Sequence, residues 1–194
     1  MTRIVAGFAG SLTLLVPKSG TRPTSDRVRE AIFSALDARD AVHGARVLDL
    51  YAGSGALGLE AVSRGAVSAV LVEKNAAAAQ VCRRNASALT AAAKSAARHT
   101  PHPLPAIDVR ASAVSSYLAG ATGPFDVVFI DPPYDVGDEE LLDVLTALVP
   151  LLSEDAVVCV ERSARVPEPT LPHGLELERR KDYGETAIYW LTPS

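Results

Sequence analysis

Residues 125–134, Phe-Asp-Val-Val-Phe-Ile-Asp-Pro-Pro-Tyr, carry the most specific chemical signal in the chain. Two successive prolines fix φ and remove two N–H donors, so the backbone after Asp131 presents carbonyls. Asp131 and the Pro132 carbonyl are then adjacent acceptors, and an exocyclic amine on a nucleobase has two hydrogens to give them. Accepting both draws the nitrogen lone pair out of conjugation with the ring and aims it at an electrophile. Tyr134 offers a flat face for stacking, worth ~1–3 kcal/mol per base in nucleic-acid sites. Taken alone, the segment also reads as a rigid turn that ends a strand.

A second constellation lies upstream. Residues 47–58, Val-Leu-Asp-Leu-Tyr-Ala-Gly-Ser-Gly-Ala-Leu-Gly, place Gly53, Gly55 and Gly58 at G-x-G-x-x-G spacing between an apolar strand and a helix start. Glycines let a ligand approach the backbone, and the first helical turn offers unpaired N–H groups. Glu73 closes the following strand, where a carboxylate can accept both hydroxyls of an adenosine ribose. A dinucleotide fits these glycines as well as any other nucleoside cofactor. Asp49, an anion just before the turn, opposes a pyrophosphate and suits a sulfonium or ammonium cation.

These groups need a scaffold that brings strand ends together. Strand–helix alternation starts at Arg46. Strands are expected at 47–50, 67–72, 108–111, 125–130 and 156–160, and helices at 56–63, 76–89 and 141–149. The alanine-rich stretch 86–99 extends the second helix or forms an exposed insert, and prolines break the chain within 99–105. At the end, 175–180 and 186–191 form an antiparallel hairpin about a turn at 181–184. Ahead of this body, strands at 3–6 and 12–16 and a helix capped by Ser25 form an appendage. The expected fold is therefore α/β: a doubly wound sheet with an antiparallel C-terminal hairpin, plus an N-terminal hairpin-helix appendage. We divide the chain into 1–40 and 41–194.

Composition narrows the function. The 194 residues are 48% apolar and 22% charged, with no apolar run long enough to span a membrane. The two cysteines, Cys82 and Cys159, have apolar neighbours and read as buried thiols of a cytoplasmic protein. His43, His99, His102 and His173 fall in loops without metal-ligand spacing, so no metal is expected. The net charge of −4 is uneven: residues 1–30 balance at +3 and the remainder at −7. An acidic body is a poor general nucleic-acid binder, yet a basic N-terminal segment can hold a particular RNA surface. Arg27 and Arg29 serve such a surface or pair with Asp26 and Glu30 along their helix.

The run at 49–58, Val72-Glu73-Lys74-Asn75 and Asp131-Pro132-Pro133-Tyr134, in this order, resemble the S-adenosylmethionine-dependent amino-methyltransferases. Residues 3–7 and 20–33, with Thr21-Arg22-Pro23-Thr24 at their centre, are similar to the bacterial family that methylates N2 of guanine 966 in 16S ribosomal RNA. The resemblance covers nearly the whole chain, including Tyr183-Gly184. It implies a seven-stranded Rossmann-like methyltransferase sheet and S-adenosylhomocysteine as product. Asp49, Gly53, Ser54 and Gly55 would line the methionine end of the cofactor, Glu73 its ribose and Lys74 the border of the adenine. The family's adenine contact falls on Ser112-Ala113, where Asp or Asn is usual. Asp131, Pro132 and Tyr134 would carry the chemistry, with Pro133 and Tyr134 on the base and Arg3, Arg22, Thr24 and Arg27 on the RNA. Substrate would be 16S rRNA, with the acidic body favouring a 30S particle, and the enzyme a monomer. Three rivals stay open: a DNA adenine-N6 or cytosine-N4 methyltransferase, a nicotinamide-dependent oxidoreductase and a non-catalytic RNA-binding assembly factor.

Overall fold

The computed structural model describes residues 2–17, 25–98 and 103–194. Its centre is a sheet of β3 (Arg46–Leu50), β4 (Ser68–Val72), β5 (Ala106–Arg110), β6 (Phe125–Ile130), β7 (Leu152–Ser163), β8 (Leu175–Tyr183) and β9 (Thr186–Pro193). The order across it is β5-β4-β3-β6-β7-β9-β8. The first five strands are parallel, and β9 runs antiparallel to both neighbours. The chain therefore winds outward from β3 to β5, then returns to the other side of β3 at β6. Crevices in such sheets open where the winding reverses, outside the C-terminal strand ends. That switch point lies between Leu50 and Ile130, which are register partners.

The two faces follow the period-2 alternation of side chains. One face sends Val47, Leu71, Phe129, Cys159 and Trp190 against α1 (Asp26–Asp37), α2 (Ala56–Ser63) and α3 (Ala76–Ala97). The other sends Leu48, Leu50, Val128, Ile130 and Tyr189 against α4 (Val114–Leu118) and α5 (Asp138–Leu148). A 3-10 turn at Val149–Leu151 leads from α5 into β7. Both cysteines are buried as expected, and burial pushes the Cys82 thiol up to about 12.

Several expectations need correction. The N-terminal strands shrink to β1 (Thr2–Arg3) and β2 (Thr13–Leu14). Ile4, Gly10, Ser11 and Leu12 pair within the segment, whereas Val5, Ala6, Phe8 and Ala9 spend their N–H groups on α2. Glu60, fully buried, accepts from Val5 at 2.7 Å and Ala6 at 3.0 Å, and Ser63 Oγ accepts from Ala9 at 3.0 Å. Of the two readings of the alanine-rich stretch the helix extension holds and the exposed insert does not, because α3 runs unbroken to Ala97 with Ala86, Leu89 and Ala93 buried along one stripe. The third strand lies at 106–110, α4 went unread, and β7 is longer at both ends than its apolar core. The terminal hairpin turns at Gly184–Glu185, so 181–183 belong to β8. Its charged side chains suit a sheet edge.

Ser25 does cap α1, accepting from Val28 N–H at 3.2 Å. Arg29 is buried; its Nη2 donates to the Arg3 carbonyl at 2.8 Å and to Asp26 at 2.9 Å. It ties α1 to the N-terminal segment, whereas Arg27 is exposed.

Candidate active site

The glycine turn is shaped by what it must pass. Gly55 caps α2 at φ +81°, and a Cβ there would sit 2.8 Å from Cys82 Sγ. At Gly58 a Cβ would lie 2.2 Å from a Leu71 methyl group, so this glycine serves helix-to-sheet packing. Its N–H donates to Asp49 Oδ2 at 2.9 Å. That bond fixes the carboxyl at the end of β3 and leaves its second oxygen for other partners.

Glu73 braces the same turn. One carboxylate oxygen accepts Gly53 N–H at 2.9 Å and the other Asn75 N–H at 2.7 Å. Each carboxylate oxygen has a second lone pair, so both can still accept a ribose hydroxyl. Asn75 caps α3 through its side chain, accepting from Ala77 and Ala78. Asn85, ten residues further along α3, donates to the Ser54 carbonyl at 2.8 Å and exchanges two hydrogen bonds with the Leu15 backbone. The glycine loop and the N-terminal segment therefore share one anchor. Sequence reading passed over Asn85, a buried amide in a run of alanines, and Glu60; a buried amide or carboxylate needs partners, and theirs lie far away in sequence.

The turn opens into a cleft of about 530 Å³. Of the expected cofactor residues, Asp49, Gly53, Ser54, Glu73 and Lys74 line it. Asp131, Pro132, Pro133 and Tyr134 line it from the end of β6. Gly55 lies behind the wall, and Val114 takes the lining place beside Ser112 and Ala113. Ser112 Oγ donates to the Ala113 carbonyl at 3.1 Å, and its backbone N–H to the Glu73 carbonyl at 3.2 Å. Arg3 and Arg27 are exposed outside the lining, and Arg22 and Thr24 lie outside the described residues. Val16, Ser25 and Val28 from the N-terminal part form one wall; Glu161, Ser163, Tyr183 and Glu185 extend the far end.

Tyr134 lines the cleft while 78% exposed, which places its ring at the mouth. Val136 N–H donates to the Pro133 carbonyl at 3.0 Å, closing a turn over 133–136 that includes Tyr134. Six carboxylates, Asp49, Glu73, Asp131, Asp135, Glu161 and Glu185, line the cleft against Lys74 and Arg162. Arg162 is itself paired with Asp138 at 2.7 Å. Burial, reinforced by Asp131 and Glu73, raises the Asp49 pKa to about 7. The field inside the cleft therefore favours a cation and repels phosphate. A nucleobase can enter while its backbone stays at the rim.

Among the described residues, no group of three or more His, Cys, Asp or Glu is placed to hold a metal ion, and no helix is long and apolar enough to cross a membrane. The cradle fits an adenosine cofactor with a cationic centre: a glycine turn, acceptor oxygens at Glu73 and the Asp49 carboxyl, which a neighbouring cation would hold ionised.

Comparison with known proteins agrees with this geometry. The family model described as conserved hypothetical protein 95 matches residues 2–192. Ribosomal RNA small subunit methyltransferase D of Escherichia coli strain K12 is 36% identical over 187 residues, covering 95% of this chain and 86% of its own. The Haemophilus influenzae protein of the same name is 30% identical, covering 94% of this chain and 89% of its own. A solved Escherichia coli structure with a provisional methyltransferase description superposes with a TM-score of 0.81 at 32% identity, covering 100% of this chain and 98% of that one.

Proposed function

From the premise that the chain belongs to the conserved hypothetical protein 95 family, that of ribosomal RNA small subunit methyltransferase D, we propose that it methylates the exocyclic N2 of a guanine in 16S rRNA. The observation that carries this reading is the Asp131–Tyr134 turn facing the same cleft as the glycine loop and Glu73. When bound, S-adenosylmethionine supplies an activated methyl group on a sulfonium, and S-adenosylhomocysteine is the product. Glu73 accepts the ribose hydroxyls, and Asp49 offers the cationic end of the cofactor a carboxylate.

The target guanine leaves its stack and enters at the mouth, where Tyr134 replaces a neighbouring base as stacking partner. Asp131 and the Pro132 carbonyl accept the two N2 hydrogens and orient the amine lone pair into the cleft; once N2 carries the methyl group, one of these hydrogens leaves as a proton to Asp131, which discharges the nitrogen. Holding the amine in line is the main service of these residues, because a sulfonium needs no further activation as a leaving group. The acidic lining keeps phosphates outside, so RNA affinity must come from basic groups at the rim and beyond. Arg3 and Arg27, both exposed, belong to that outer surface.

The test is transfer of labelled methyl from S-adenosylmethionine to unmodified 30S subunits, naked 16S rRNA and unmethylated DNA. The product nucleoside is then identified by mass. N2-methylguanosine in 16S rRNA is expected, with 30S the better substrate. Label in DNA adenine or cytosine would replace the substrate assigned here, and cofactor binding without transfer to any of them would remove the enzymatic reading.

A further inference from the structure

Glu161 has no part in the reaction as drawn, yet it is Asp131's neighbour across the sheet. β6 and β7 run parallel with Ile130 opposite Val160, so Asp131 and Glu161 each follow a register pair at the strand ends. Both lie on the face that carries Phe129 and Cys159, two residues earlier on their strands. Both charges act on the Cys159 thiol. Glu161 is half-buried and lines the cleft next to Ser163.

A guanine held by N2 presents one more donor along the same edge, the ring N1–H. Adenine and cytosine instead present an unprotonated ring nitrogen beside their amine. An ionised carboxylate only accepts, so it rewards the first arrangement and opposes the second. We propose that Glu161 accepts the N1–H of the target guanine, which makes it the residue that separates guanine from the other amine-bearing bases. This rests on the guanine-N2 reading above. With Asp131 and the Pro132 carbonyl, it completes a row of three acceptors facing guanine's row of three hydrogens. A purine that keeps the 2-amino group but lacks N1–H reaches the same row with a lone pair facing the carboxylate.

The experiment compares 30S subunits reconstituted with 16S rRNA carrying guanine or 2-aminopurine at the methylated position. The wild-type protein should prefer guanine by about ten- to a hundredfold, the discrimination of one well-made base contact. Glu161→Gln should lose about tenfold or more on guanine and bring the two bases within a few-fold, because a rotated amide can donate to the bare N1. Glu161→Asp keeps an acceptor-only head and should retain the preference for guanine. S-adenosylhomocysteine affinity should stay within a few-fold of wild type in both variants. An unchanged preference in Glu161→Gln, an equal loss on both bases, or loss of the preference in Glu161→Asp would overturn the assignment. Absence of label on guanine N2 with the wild-type protein would overturn the reaction instead, and this inference with it.

Discussion

Replacing Asp49 by asparagine should stabilise the cofactor-free protein, and by an amount that grows with pH. The carboxyl is buried at the end of β3. Burial first, then the charges of Asp131 and Glu73, raise its pKa from 3.8 to about 7 against the hydrogen bond from Gly58. A carboxyl that holds its proton more tightly folded than unfolded gives full stability below the unfolded value and loses it as pH rises through the folded one. The loss here begins near pH 4 and levels off above pH 7. At about 1.36 kcal/mol per pKa unit it totals about 4 kcal/mol, of which roughly 3 accumulates between pH 5 and pH 8. Asparagine keeps an acceptor for the Gly58 N–H and has no proton to lose. Urea unfolding of both proteins at a series of pH values isolates the effect, because the contributions of the other carboxyls cancel in the difference. A difference in stability that stays flat from pH 5 to pH 8 would refute a buried, titrating Asp49. The same variant should weaken S-adenosylmethionine more than S-adenosylhomocysteine, since only the former carries the sulfonium charge. Equal weakening would reduce Asp49 to a brace for the glycine turn.

Asp131→Ala should abolish transfer while cofactor affinity stays within a few-fold; a collapse of affinity would move Asp131 to the cofactor. Tyr134→Ala removes an exposed ring, so thermal stability should hold while kcat/KM for the RNA falls by about ten- to a hundredfold, the worth of one stacked base. Unchanged kinetics would deny Tyr134 the stacking role. Gly58→Ala drives a methyl group to within 2.2 Å of Leu71 and should cost about 1–3 kcal/mol by urea unfolding. A variant as stable as wild type would show that Leu71 yields freely. Asp126 hydrogen-bonds Arg46 through both oxygens, which pulls its pKa down to about 2. Its stabilisation is present above about pH 4 and lost as pH falls through 2; allowing for solvent screening, Asp126→Asn should cost about 1 kcal/mol at pH 7 and nothing near pH 2. An undiminished penalty at the acid end would assign it to packing.

Much of the site was legible because its signals are local. The glycine turn set α2 at Ala56–Ser63, and the apolar run before Asp131 set β6 at Phe125–Ile130; both elements match the sequence reading residue for residue. The reading failed where an element is defined by distant partners. Alanines at 86–97 suit solvent and core alike, and only the packing of Leu89 and its neighbours against the sheet decides between them. α4, five residues with two serines, carries too little pattern to register. Nothing around Val5 announces that its N–H belongs to Glu60, 55 positions later. Likewise, Glu161 drew no notice in its strand and gains meaning only once β7 lies beside β6.

The fastening of the N-terminal segment also sets an order of events during synthesis. Val5 and Ala6 have no acceptor until Glu60 exists, and Leu15 none until Asn85 does. The segment that walls the cleft must wait, without its partners on α2 and α3, while more than sixty further residues leave the ribosome. β3 waits longer still, since its central place in the sheet is completed by Phe125–Ile130. Early-made residues thus complete the molecule late, and its nascent form passes through a stage with bare apolar positions such as Ile4 and Leu14, the kind of surface that chaperones and neighbouring chains engage.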